Sequence, residues 1–307
     1  MRVLVLNEHE VRELLTMREC IAVMEEALSA LARGEAHQPL RSVSRAPGAD
    51  GFLGLMPAYN GFYGLKEVCV FPGNPRRGLD THLGAVLLHS GETGELLAIM
   101  NASAITAIRT AAVSAVATTI LAREDASVLA ILGSGVQARS HREAIPLVRP
   151  IREIRMYSRT RRENCASAEE AVRGADIVVT ATSSKEPVVR REWIGPGTHI
   201  NAVGSSVATS RELDSATVAA SSLFVDRGES TVNESGDYLF ALREGAIAEG
   251  HIRAEVGDVL IGKAEGRTSA GEITLFKSLG LAIEDLAAAA FLYEKATRLQ
   301  RGTALDF

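Results

Sequence analysis

SVLAILGSGVQARSH, residues 127–141, runs from an apolar stretch through a glycine-rich turn into a helical pattern. The apolar part, residues 127–132, is short and unbroken, as in a strand buried on both faces. Gly133, Gly135 and Ala138 then form a G-x-G-x-x-A fingerprint. An ordinary strand–helix turn is also glycine-rich, so the pattern gains its weight from standing between a strand and a helix in a βαβ unit. There Gly133 permits the tight turn and Gly135 lets a pyrophosphate approach the backbone. The helix N-terminus adds free N–H groups and partial positive charge. The motif predicts dinucleotide binding.

Outward from this motif the pattern repeats. The helix runs to about Val148, and IREIRMY (151–157), DIVVTAT (176–182), THINAVG (198–204) and SLFVD (222–226) read as further strands separated by helical segments. Apolar strands alternating with helices predict an α/β, doubly wound parallel sheet. The second strand ends in SRTRR, residues 158–162. An NAD site normally has Asp or Glu there for the ribose hydroxyls. Here no carboxylate repels a 2′-phosphate and guanidinium groups are at hand to pair with one. The alternative is a solvated basic loop. The charge pattern points to NADPH, with NADH the less favoured cofactor.

The N-terminal part has another style. Residues 8–33 carry helical periodicity closed by Gly34. Residues 37–100 hold short apolar runs broken by Gly, Pro and Asn, with GETG (91–94) as a hairpin turn, so strands are expected. Residues 103–122 are an alanine-rich helix, and the stretch from Ile273 to Leu299 reads as mostly one long helix. At roughly 150 residues per domain, 307 residues suggest two domains. Hydrophobic residues at 46% and charged residues at 23% exclude a disordered or fibrous chain. A net charge of -5 gives no electrostatic reason for a nucleic-acid partner. Cys20, Cys69 and Cys165 are scattered, which indicates neither a disulfide framework nor a metal site. The opening MRVLVLNEHEV is too short in apolar residues for a signal peptide, and no membrane span is evident, so a cytoplasmic protein is expected.

Arg41, Met56, Lys66, Thr81, His82 and Arg109 form a second, dispersed set. Spacing alone does not assemble them. Lys66, in the mostly apolar GLKEVCVF, is either a snorkelling strand residue or a group that binds carboxylate and transfers protons. Taken alone, the first reading is preferred.

A resemblance reverses that preference. QPLRSVS (38–44), LGLMPAY (53–59), GLKEVCVFPGN (64–74), TAIRTAAVSAVAT (106–118), ILGSGVQA (131–138), INAVG (200–204) and FKSLGLAIED (276–285) together resemble the ornithine cyclodeaminase/mu-crystallin family. The resemblance implies a homodimer. It makes residues 1–118 an α+β substrate and dimerisation domain, residues 119–280 a Rossmann domain, and residues 281–307 a C-terminal helix returning to the first. It implies that Arg41 grips a substrate carboxylate and that Lys66 is catalytic and touches that carboxylate. Met56 would line the substrate pocket and Arg109 would order it. On the cofactor side it implies Thr81, Arg109, Thr110, Gly133, Gly135, Val136 and Gln137. Ser158, Arg159 and Thr160 would read the 2′-phosphate. Ala181, Thr182 and Val203 would follow the nicotinamide half, with Phe276 closing over it.

Two departures qualify this. Gly204-Ser205-Ser206 stands where cyclodeaminases and the alanine dehydrogenase of the family carry an acid at the third position. The resemblance places Ser206 among the substrate-binding residues, but without a partner its hydroxyl cannot replace that acid as a general base near neutral pH. Cyclodeamination is therefore disfavoured against reduction of a small, cyclic imino acid such as pyrroline-2-carboxylate or piperideine-2-carboxylate. The alternatives are an amino-acid dehydrogenase, a cyclodeaminase, or a non-catalytic NADPH-dependent ligand-binding protein. The second departure is a deletion. Residues 159–166 are too few for a helix at about 1.5 Å and a strand at about 3.3 Å per residue, so the Rossmann sheet should lack its third strand. The exposed edge would then need cover from Arg152, Arg155 or a second subunit.

Overall fold

The computed structural model describes residues 2–161 and 163–307, so Arg162 of the SRTRR segment lies outside the described residues. The chain opens with β1 (Arg2–Leu6), α1 (Glu8–Leu14), α2 (Met17–Arg33), β2 (Ser42–Ser44), β3 (Phe52–Asn60), β4 (Phe62–Val70), β5 (His82–Ser90) and β6 (Leu96–Asn101). Next come α3 (Ala102–Leu121), β7 (Val128–Leu132), α4 (Val136–Ala144), β8 (Glu153–Tyr157), α5 (Ala168–Val172), β9 (Ile177–Thr180) and β10 (His199–Ala202). It continues through α6 (Ser215–Ala219), β11 (Ser222–Val225), α7 (Gly228–Glu234), α8 (Gly236–Arg243), β12 (Ile252–Glu255) and α9 (Val256–Leu260). It closes with β13 (Thr274–Lys277), α10 (Ala282–Leu299) and β14 (Thr303–Asp306). Two compact units result. One comprises the residues up to Arg109 with Leu281–Phe307, the other Thr110–Gly280.

In the first unit the described strands form one seven-stranded sheet in the order β14-β1-β6-β5-β4-β3-β2. Even-numbered residues of β3 to β6 share the buried face, because side chains alternate with period two. Register sets Met56, Lys66, Val86 and Met100 side by side across that face. Helix α10 packs on β3, β4 and β5 and against α2. Gly64 permits this approach, since a Cβ there would stand 2.6 Å from Leu286 Cδ1. The expected single helix over 8–33 is two helices. Asn7 with Glu10, and Thr16 with Glu19, form capping boxes that start α1 and α2 separately. Gly34, at φ +77°, ends α2.

In the second unit the described strands form a parallel sheet in the order β12-β11-β13-β10-β9-β7-β8. The chain leaves β7 for β8 on one side and returns to β9 on the other. This is the topological switch point at which doubly wound sheets bind ligands. The segment 273–299 corrects the expected long helix. TLFK is a central strand, β13, buried between β10 and β11, and Gly280 at φ +80° turns the chain before α10. Helix α3 is apolar and long enough to cross a membrane, but most of that span is buried inside the protein.

No strand lies outside β8 among the described residues. One side chain covers the edge instead. Asn164 Oδ1 accepts from Met156 N at 2.6 Å, and Asn164 Nδ2 donates to Ile154 O at 2.7 Å. Cys165 N donates to Met156 O at 3.1 Å. The amide thus stands in for a strand on a few ladder positions. Arg155 pairs with Glu153 at 2.7 Å and donates to Arg173 O at 2.8 Å.

Candidate active site

Lys66 lies in the middle of β4 with its ammonium in the interior of the first unit. Its Nζ is 3.1 and 3.3 Å from the two carboxylate oxygens of Asp285 on α10. Arg109 Nε donates to the same Asp285 Oδ1 at 3.1 Å, and its Nη1 meets Glu284 Oε2 at 2.5 Å. No side chain of these four is more than 5% exposed. Two cations therefore face two carboxylates, as buried charges must. Gln38 fixes the start of α10 by accepting from Ile283 N at 2.8 Å. Burial brings the Lys66 ammonium down to about 8, Asp285 opposes that fall, and the charge of Arg109 adds to it. A proton held at that affinity can be given up near neutral pH.

Met56 is buried directly opposite Lys66 on β3. Arg41, half-buried, immediately precedes β2, whose Ser42 stands opposite Leu55; this places Arg41 at the sheet edge beside the Met56 position. Thr81 is half-buried just before β5, and exposed His82 begins that strand. The first unit thus gathers Lys66, Met56 and Arg109 on or against the inner face, with Arg41 at its edge.

The second unit holds the glycine turn. Gly133 has φ +129°, and a Cβ there would stand 2.4 Å from Ala181 O, so no other residue fits without displacing backbone. Gly135 is the N-cap of α4 and offers no side chain to cap it, and a Cβ at Gly135 would meet open space. Uncapped amides above an open cradle fit a pyrophosphate. Val136 is exposed in the first turn of α4 and Gln137 is half-buried beside it. Ser158, at the end of β8, is 2.9 Å from Ser134 Oγ and 3.3 Å from Thr160 Oγ1, while Arg159 is exposed between them in sequence. Ala181, Thr182 and Val203 are half-buried at the ends of β9 and β10, Ser206 is exposed, and Thr110 is buried in α3. Phe276 is fully buried in β13, in register between Asn201 and Phe224.

A model of the ornithine cyclodeaminase/mu-crystallin family matches residues 1–300. The chain belongs to this family. It is 40% identical over 294 residues to the ketimine reductase mu-crystallin of Mus musculus, covering 89% of this chain and 91% of that protein. Its fold matches the Thermococcus litoralis Delta(1)-pyrroline-2-carboxylate reductase, solved in complex with NADH and L-proline, with TM-score 0.95 and 40% identity over 98% of this chain and 99% of that one. An archaeal alanine dehydrogenase dimer with bound NAD matches with TM-score 0.94 and 36% identity over the full length of both chains.

Within this member of the ornithine cyclodeaminase/mu-crystallin family, motif reading misses the acids. Glu284 and Asp285 close FKSLGLAIED, and the signal for them was present: two adjacent carboxylates followed by LAAAAFL, on a helix otherwise built for burial. Glu212, Asp237 and Lys277, all buried in the second unit, carry no comparable sequence signal.

Proposed function

We propose that this chain is an NAD(P)H-dependent reductase of small cyclic imino acids, with pyrroline-2-carboxylate or piperideine-2-carboxylate as substrate and NADPH as the preferred cofactor. The observation that carries the reading is Lys66, buried, charge-balanced by Asp285 and lowered to about 8. The cofactor, held by Gly133, Gly135, Val136 and Gln137, supplies hydride. Arg41 and Lys66 bind the substrate carboxylate. Lys66 Nζ holds the proton needed at the imine nitrogen, and Met56 and Val86 on the same face exclude water from it. Hydride addition to a protonated imine requires no base, which suits Ser206 in place of an acid.

NADPH is favoured because residues 158–161 carry no carboxylate and present hydroxyls from Ser158 and Thr160 beside Arg159. We also propose a homodimer. The odd-numbered face of the first sheet is apolar yet partly open, with Leu53, Leu55, Leu65, Leu83, Tyr59 and Tyr63, the last 54% exposed. Such a patch fits a second copy of the chain. The testing experiment is a panel of cyclic and acyclic imino acids assayed side by side with NADPH and NADH. Oxidation of NADPH by the cyclic substrates is expected. Ligand binding without turnover would contradict the enzymatic reading, and equal use of both nucleotides would contradict the NADPH preference.

A further inference from the structure

Three buried charged residues in the second unit stand apart from its glycine turn. Glu212, in the loop after β10, has no exposed surface. Its Oε1 accepts from Thr182 N and Thr182 Oγ1 at 2.7 Å each; its Oε2 accepts from Gly204 N at 2.7 Å and Thr180 Oγ1 at 2.8 Å. One carboxylate thus ties the end of β9 to the end of β10. Asp237 Oδ1 accepts from Glu212 N at 2.8 Å and Leu213 N at 2.9 Å. Lys277 joins the parts: its Nζ donates to Ser205 O at 2.5 Å and lies 3.0 Å from Asp237 Oδ2. Two carboxylates against one ammonium leave one net negative charge, buried.

That charge lies directly beneath an exposed ledge. Gly204 is exposed, and a Cβ placed on it would be 2.5 Å from Glu212 Oε1 and 2.2 Å from Thr182 O. A group resting on Gly204 would therefore be separated from the carboxylate by one thickness of backbone. In a doubly wound sheet the second half of a dinucleotide lies over the ends of these strands. Reduced nicotinamide is neutral and the oxidised ring carries a positive charge. Burial pushes the Glu212 carboxyl up and Lys277 opposes the rise. Four donors to its two oxygens, two of them backbone N–H groups, favour the ionised form.

We propose that Glu212, with Asp237 and Lys277, is a positioning residue that sets the relative affinity of this protein for oxidised and reduced nicotinamide, by holding one net negative charge under the Gly204 ledge. The inference rests on the dinucleotide-binding reading and goes beyond it. Calorimetric titration of the full-length protein with NADP+ and with NADPH tests it without turnover. Glu212→Gln and Asp237→Asn each remove a negative charge and are expected to raise the ratio of oxidised to reduced Kd by roughly tenfold, whereas Lys277→Met lowers it. Glu212→Asp keeps the charge and is expected to keep the ratio. The ratio is read on each variant with the far-UV spectrum of the unmodified protein. Parallel weakening of both nucleotides, with the ratio unchanged, would overturn the proposal and leave the cluster a loop clamp. Failure of all the neutralising variants to fold would overturn it as well. Absence of binding by the unmodified protein would instead overturn the dinucleotide reading.

Discussion

Lys66, Arg109, Glu284 and Asp285 in the first unit carry two positive and two negative charges, whereas Glu212, Asp237 and Lys277 in the second carry one positive and two negative. The first cluster is neutral, and burial lowers the pKa of its Lys66 to about 8. The second has the one net negative charge we propose for it, and its Glu212 oxygens accept from four donors on β9 and in the turns after β9 and β10. Burial raises the cost of every charge in both. The difference shows what each arrangement leaves over: in the first a movable proton, in the second a fixed field. The first fits the substrate chemistry proposed above, the second the proposed discrimination between oxidised and reduced nucleotide.

Removing the movable proton should have the largest effect. Lys66→Ala is expected to lower turnover by about 10²–10⁴-fold while leaving the Kd for NADPH nearly unchanged, because the proposed role of Lys66 is toward substrate and not the nucleotide. Comparable loss of nucleotide affinity would erase the division between the clusters. Asp285→Asn comes next. Breaking a buried pair by removing one partner costs about 3–5 kcal/mol, read as a lowered thermal midpoint. It also removes the group that holds the Lys66 pKa up, so the fall of kcat/KM with rising pH, expected near 8, should move to lower pH. A shift to higher pH would mean that Asp285 does not act on Lys66.

The nucleotide side should respond more mildly. Arg159→Ala is expected to cost about 1.5–3 kcal/mol of NADPH binding and to leave NADH unaffected, since the lost contact is charge-assisted and confined to the 2′-phosphate. An equal loss with both nucleotides would return Arg159 to the solvated loop. The smallest effect expected is that of Asn164→Ala, which uncovers Met156 N and Ile154 O on β8. Two hydrogen bonds at about 0.5–1.5 kcal/mol each set the loss, read by chemical denaturation. An unchanged midpoint would show that the edge of β8 is protected by something other than this amide.

The two clusters also differ in how far they could be read from residues alone. The glycine turn is legible because its constraint is local: Gly133 must take φ +129° against Ala181 O, and only glycine does so. The absence of a strand outside β8 among the described residues is equally legible, since residues 159–166 are too few for a helix and a strand. What replaces that strand is not, because Asn164 acts through a side chain no period predicts. Lys66 was ambiguous for a related reason. Its partner Asp285 is 219 residues away in sequence, so the pair exists only once α10 lies on β4. ITLFK shows the limit of periodicity, because a short apolar run beside a long helix does not reveal whether it is strand or helix.

The account rests on reduction of a cyclic imino acid, and its most direct test follows product rather than cofactor. Pyrroline-2-carboxylate and NADPH are incubated with the unmodified protein and proline is quantified, with ammonia from ornithine assayed in parallel. The account predicts one proline for each NADPH oxidised and no ammonia. Ammonia from ornithine, or NADPH left unoxidised with every cyclic imino acid offered, would contradict it.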